Sequence, residues 1–146
     1  NTTPYHYLKR IDGSLTNKFL PDYFTLNAER VFLVLEQYKN WGMCTEEVRR
    51  ILANIYVRYL FSALQRNCDK RSDMNHAQRK EWLKQQYKTP LCKELLSAVQ
   101  ASGTLFKCMA KAFCAGNIPL CLMIARSIFV VKSTFPTVFS TLKQQH

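Results

Sequence analysis

Turn-forming residues are scarce. The 146-residue chain holds only four Gly and five Pro, which argues for long regular elements joined by few turns. There is no Cys-x-x-Cys pair among Cys44, Cys68, Cys92, Cys108, Cys114 and Cys121, and the three histidines lie far from them in sequence. Both absences argue against a zinc site. Cys108, Cys114 and Cys121 fall inside apolar helical patterns, where a free thiol behaves as a small hydrophobe. Reduced thiols in a cytosolic environment are the simpler expectation. No Gly-rich loop is placed to cradle a phosphate. The ten carboxylates fall mostly on polar helix faces. Glu46-Glu47 reads as helix capping and His76 as a surface residue, so no paired acid and base suggests hydrolysis. The longest uncharged run, residues 112–125, has 14 residues and is broken by Gly116, Asn117 and Pro119. A membrane-crossing helix needs roughly 20 apolar residues. No secretory leader pattern opens the sequence.

What the chain does have is positive charge. Twenty-one Lys and Arg against ten Asp and Glu give a formal charge of +11. An excess of this size points to nucleic acid, an anionic membrane surface or phosphorylated substrates. The excess is uneven: residues 1–40 carry five basic and four acidic groups, residues 41–88 ten and five, and residues 89–146 six and one. The last block sets its cations among apolar residues, which favours a membrane surface there. The apolar fraction of 47% and the length suit one domain with a real core.

Periodicity predicts an all-α fold, an irregular bundle of about five to six helices. The first starts at Pro21-Asp22, with Phe24, Ala28, Val31, Leu35 and Tyr38 on one side, and ends at Trp41-Gly42. In the second, Thr45 is the N-cap and Glu46 and Glu47 complement the helix dipole. Its stripe is Val48, Ile51, Leu52, Ile55, Tyr56, Tyr59, Leu60, Ala63 and Leu64, opposite Arg49, Arg50, Asn54, Arg58 and Gln65. Residues 66–73 form a polar connection. Ser72 or Asp73 is expected to cap a third helix over roughly 74–87, anchored by Ala77, Trp82, Leu83 and Tyr87. Thr89-Pro90 starts a fourth, with Leu91, Cys92, Leu95, Leu96 and Val99 inward. Leu105, Phe106, Cys108, Met109, Ala112 and Phe113 make a fifth after Ser102-Gly103. Pro119 opens a sixth, to about Val131.

The first nineteen residues differ from the rest. Tyr5, His6, Tyr7 and Leu8 read as the end of a strand that turns at Asp12-Gly13. A strand needs a partner, and no later segment supplies one, so residues 1–8 are expected to pair with a sheet outside this sequence. Arg10 is suited to gripping a phosphate bidentately, with Ser14 and nearby backbone N–H groups donating to it. The stretch Pro4-Tyr5-His6-Tyr7-Leu8-Lys9-Arg10-Ile11-Asp12-Gly13-Ser14-Leu15-Thr16 resembles the segment that closes the catalytic domain of bacterial family 2 glycosyltransferases. Tyr5 and Tyr7 match an aromatic pattern of the type Pro-x-Tyr-x-Tyr, Arg10 a basic position, and Gly13-Ser14-Leu15 a Gly-Ser-aliphatic step. His6 departs from it, standing where an aromatic residue is often found. Specific matching covers residues 4–16, and the basic helical remainder is similar in character.

The resemblance implies an inverting transferase of the GT-A type with a nucleotide-diphospho-sugar-binding α/β domain upstream of Asn1. It also implies a divalent metal, Mg or Mn, on an upstream Asp-x-Asp motif, and an upstream acidic base. Residues 1–20 would be the end of that catalytic domain and residues 21–146 a C-terminal helical domain, inactive alone and holding no cofactor itself. Tyr7, Arg10 and Ser14 would line the donor or acceptor site. The implied partners are a nucleotide-sugar donor and a glycan or lipid-linked acceptor of bacterial surface polysaccharide or lipopolysaccharide synthesis. The implied place is cytoplasmic, peripheral at the inner membrane face. Lys107, Lys111, Arg126 and Lys132, set among Leu105, Phe106, Phe113, Leu122, Ile128 and Phe129, are the candidate membrane-surface residues. The same apolar residues also suit a homo-oligomer, the catalytic domain or an ordinary core. A separate reading is a basic binding module for nucleic acid or a protein partner. In it, Arg49, Arg50, Arg58 and Arg66 form one row and Lys80, Lys84 and Lys88 another.

Overall fold

The computed structural model describes residues 22–135. They form six helices: α1 (Tyr23–Asn40), α2 (Glu46–Arg66), α3 (His76–Lys88), α4 (Pro90–Leu96), α5 (Thr104–Cys114) and α6 (Ile118–Thr134). The expected all-α bundle is what is found, with no strand among the described residues. The strand expected at residues 1–8 lies outside them.

The helix starts follow local chemistry. The Thr45 side chain accepts a hydrogen bond from the Val48 backbone N–H at 3.2 Å, and Glu46 and Glu47 occupy the first turn of α2. Thr89 caps α4 in the same way, with Pro in its first turn. Asn117 caps α6. Gly42 and Gly116, each at φ 67°, stand just past the ends of α1 and α5. That left-handed conformation suits glycine at a helix C-terminus.

Three boundaries depart from expectation. The cap of α3 is Asn75 rather than Ser72 or Asp73. Asn75 Oδ1 accepts from Gln78 N–H, and the Asn75 N–H donates back to Gln78 Oε1, a reciprocal pair that satisfies two end groups at once. Ser72 is occupied upstream, where its hydroxyl accepts from the Met74 N–H. α4 stops at Leu96, short of Val99, and α6 runs on to Thr134.

α2 is the axis of the bundle: α1, α4, α5 and α6 all pack against it, while α3 packs on α4 and α6. A helix so surrounded buries more than one stripe. Leu52, Tyr56, Leu60, Ala63 and Leu64 are buried as expected, and so are Ala53, Val57 and Phe61. Ile51, expected inside, is 49% exposed. One contiguous core results, running from Phe24 through Leu83 and Phe113 to Ile128. The Tyr87 hydroxyl donates to the Phe113 carbonyl at 2.6 Å and its ring stacks on Phe113 at 4.9 Å, pinning α3 to α5. Of the three cysteines expected in apolar surroundings, Cys121 is buried but Cys108 and Cys114 are exposed. Their helix turns that edge outward. Among the described residues no helix is long and apolar enough to cross a membrane.

Candidate functional site

The chain leaving α2 lines a hollow with four charged side chains among the described residues. Beyond Arg66 the backbone closes successive turns: Asn67 N–H donates to Ala63 O, Cys68 to Gln65 O, Asp69 to Arg66 O and Ser72 to Asp69 O. The Asp69 carboxylate then accepts from Arg71 three times, from its backbone N–H at 2.9 Å, from Nε at 3.1 Å and from Nη2 at 2.9 Å. These charge-assisted bonds fix the guanidinium. The same contacts hold the Asp69 carboxyl below its ordinary pKa, chiefly through the Arg71 side chain.

Arg66 lies over the ring of Tyr23, its Cζ 4.2 Å from the ring centroid, a cation–π contact. Tyr23 is in turn braced edge-on by Tyr59, with centroids 6.3 Å apart. The last turns of α6 contribute Phe129, Lys132 and Ser133. Together with Tyr23, Ser62, Gln65, Arg66, Asp69 and Arg71 these line a groove of about 650 Å³. Among the described residues, three cations and one carboxylate line it.

The residues singled out in the sequence are distributed otherwise. Tyr7, Arg10 and Ser14 lie outside the described residues. Lys107 and Lys111 line one hollow of about 360 Å³ with Val99, Ala101, Ala110 and Cys114. Arg126 lines another, of about 220 Å³, with Cys68, His76 and Arg79. Burial pushes the Cys68 thiol up, partly offset by the charges of Arg79 and Arg126. Lys132 belongs to the Arg66 groove. The four proposed membrane cations therefore open onto three separate hollows. Of the six apolar residues set among them, Phe106, Phe113, Leu122 and Ile128 are core.

Three arginines of the α2 row make local contacts. Arg50 pairs with Glu47 at 3.5 Å, Arg58 covers the Phe106 ring at 4.8 Å, and Arg66 covers Tyr23. Sequence reasoning passed over Arg71, Asp69 and Tyr23. The available signal was Asp69-Lys70-Arg71, an acid two residues before an arginine in a polar turn. Among the described residues no group of three or more His, Cys, Asp and Glu side chains is placed to hold a metal ion.

Comparison with protein-family models, with curated proteins and with solved structures finds no match.

Proposed function

We propose that this chain is the C-terminal helical region of a bacterial family 2 glycosyltransferase. The enzyme would transfer a sugar from a nucleotide-diphospho-sugar to a glycan or lipid-linked acceptor of a surface polysaccharide. The observation that carries the reading is the motif at residues 4–16, which is followed closely by a helical unit with its own contiguous core from Phe24 to Ile128. In this reading Tyr7, Arg10 and Ser14 meet the donor or acceptor, and an upstream Asp-x-Asp motif holds Mg or Mn. The helical unit serves acceptor, membrane-surface or subunit contacts at the cytoplasmic membrane face, with Lys107, Lys111, Arg126 and Lys132 as its candidate membrane-surface cations.

The test is made on the protein carrying the coding sequence before Asn1. Divalent-metal-dependent transfer from a nucleotide-sugar, lowered at least about tenfold by Arg10→Ala through lost charge-assisted contacts, is the expected result. An upstream sequence with no Asp-x-Asp motif in a nucleotide-sugar-binding pattern would end the proposal.

One observation favours a second reading, nucleic-acid binding: Lys80, Lys84 and Lys88 are all exposed along α3, spaced as a row that can follow phosphates. It requires a salt-dependent shift of duplex DNA or RNA that Lys80→Glu plus Lys84→Glu abolishes.

A further inference from the structure

We propose that the hollow between the end of α2, the first turn of α3 and the first half of α6 binds a small organic carboxylate with a short apolar tail, its carboxylate held by Arg79 and Arg126. The proposal stands on the hollow itself and does not depend on the glycosyltransferase reading.

The lining divides in two. Leu64, Pro119, Leu122, Met123 and Ala125 make most of it apolar, and Cys68, His76, Arg79 and Arg126 supply the rest. Among the described residues no acidic side chain lines it, and no ion pair includes Arg79 or Arg126. Elsewhere the arginines share their hollows with acids: Asp69 lines the groove of Arg66, and Glu46 and Glu47 line the hollow of Arg50. Two guanidiniums without a carboxylate of their own are suited to one brought by a ligand.

Arg79 is oriented but not neutralised. Its Nε donates to the Asn67 carbonyl at 2.7 Å and its Nη2 to the Met74 carbonyl at 3.0 Å. Both acceptors are uncharged, and a guanidinium carries five N–H groups in a planar fork, so donors remain for an anion. A side chain fixed beforehand loses little entropy on taking a ligand. Arg126 lines the same hollow from α6, and the charges of both arginines act on the Cys68 thiol between them in the lining. Lys107 and Lys111 also line a hollow without an acid, but an ammonium lacks the fork that matches a carboxylate edge.

Size and polarity choose the ligand. The volume of about 220 Å³ is below the roughly 300–1,000 Å³ of drug-sized sites, so the tail is short. A phosphate group presents three strong acceptor oxygens and would set them against Leu64, Leu122 and Ala125. A carboxylate keeps its charge at one end and leaves the tail to those three side chains, all of them buried.

Titration of the 146-residue chain with hexanoate, followed by backbone amide shifts in ¹H–¹⁵N spectra, tests the site. Saturable shifts are expected in residues 64–68, 76–79 and 119–126. Acetate should bind at least about tenfold more weakly, because it lacks four methylenes to bury, and so should hexan-1-ol, which lacks the charge. Arg126→Gln should weaken hexanoate about tenfold, the usual consequence of losing one charge-assisted contact. Arg126 is exposed and carries the test, since Arg79 also holds two carbonyls of the fold. Met123→Glu, at an exposed position three residues before Arg126, should also block hexanoate by supplying a carboxylate to Arg126. Lys107→Gln plus Lys111→Gln should change binding less than about twofold, as expected of distant screened charges. Helical circular dichroism establishes that each variant is folded. Absence of saturable hexanoate shifts, equal binding of hexan-1-ol, or an equal loss in the Lys107/Lys111 variant overturns the site.

Discussion

Two cationic surfaces of this molecule look alike in sequence and differ in space. At the α2–α6 end, Arg66 and Arg71 are held by Tyr23 and Asp69, and Lys132 from a distant helix joins them. At the α5 end, Lys107 and Lys111 stand one turn apart above Val99, Ala101 and Ala110. No ion pair among the described residues includes either lysine. At the first, Arg66 and Arg71 are oriented by neighbouring groups; at the second, both lysines are exposed. Charge density in the sequence measures neither property. What separates the two surfaces is whether neighbouring groups orient the cations.

The comparison can be broken most forcefully from below the α5 end. Phe113 is almost completely buried and stacked on Tyr87. Phe113→Ala should lower stability by roughly 3–5 kcal/mol, the usual cost of emptying such a site, read by urea denaturation. A loss below about 1 kcal/mol would mean the α5 end is not packed as described.

Alkali should act on the same end. Burial pushes the Cys121 thiol up to about 11, with Cys92 raised likewise to about 11, from an ordinary value of 9.0. Between pH 9 and 11 the unfolded chain has lost these protons and the folded chain still holds them. Stability is therefore fully present below pH 9 and falls as pH rises through that window. Urea midpoints at pH 8 and pH 11 should show the fall, and Cys121→Ala should remove part of it. Identical pH slopes in the two proteins would count against a buried thiol at Cys121.

At the groove, Tyr23→Ala removes the ring under Arg66 and the contact with Tyr59. It should cost about 1–2 kcal/mol, from one cation–π and one aromatic contact, read by urea denaturation. No measurable loss would mean that the ring does not hold Arg66. The smallest effect belongs to Lys107→Gln plus Lys111→Gln, which should stay within about 0.5 kcal/mol of the parent, as for exposed residues without partners. A larger loss would show that these lysines are held after all, and the contrast would narrow.

The fold was legible where local chemistry decides it. Thr45 with Glu46-Glu47, Thr89-Pro90 and Gly42 mark ends that depend on nearest neighbours alone. The misplaced start of α3 came from competition among Ser72, Asp73 and Asn75, which the reciprocal Asn75–Gln78 bonds resolve. The extra buried residues of α2, Ala53, Val57 and Phe61, reflect four neighbouring helices, and a periodicity counts apolar positions without counting partners. The groove was least legible. Arg66 was read as part of a row along α2, Lys132 as part of a membrane set, and Arg71 as connection. The turns after Arg66 and the return of α6 bring them to one opening, and no spacing rule links residues so far apart in the chain.

The most direct test of the central contrast is a ¹H–¹⁵N spectrum of the side-chain N–H groups of the chain at near-physiological salt. The account predicts a slowly exchanging Arg71 Nε–H signal that Asp69→Asn removes, and rapidly exchanging ammonium groups at Lys107 and Lys111. A rapidly exchanging Arg71 Nε–H, or protected ammonium signals at Lys107 and Lys111, would contradict it.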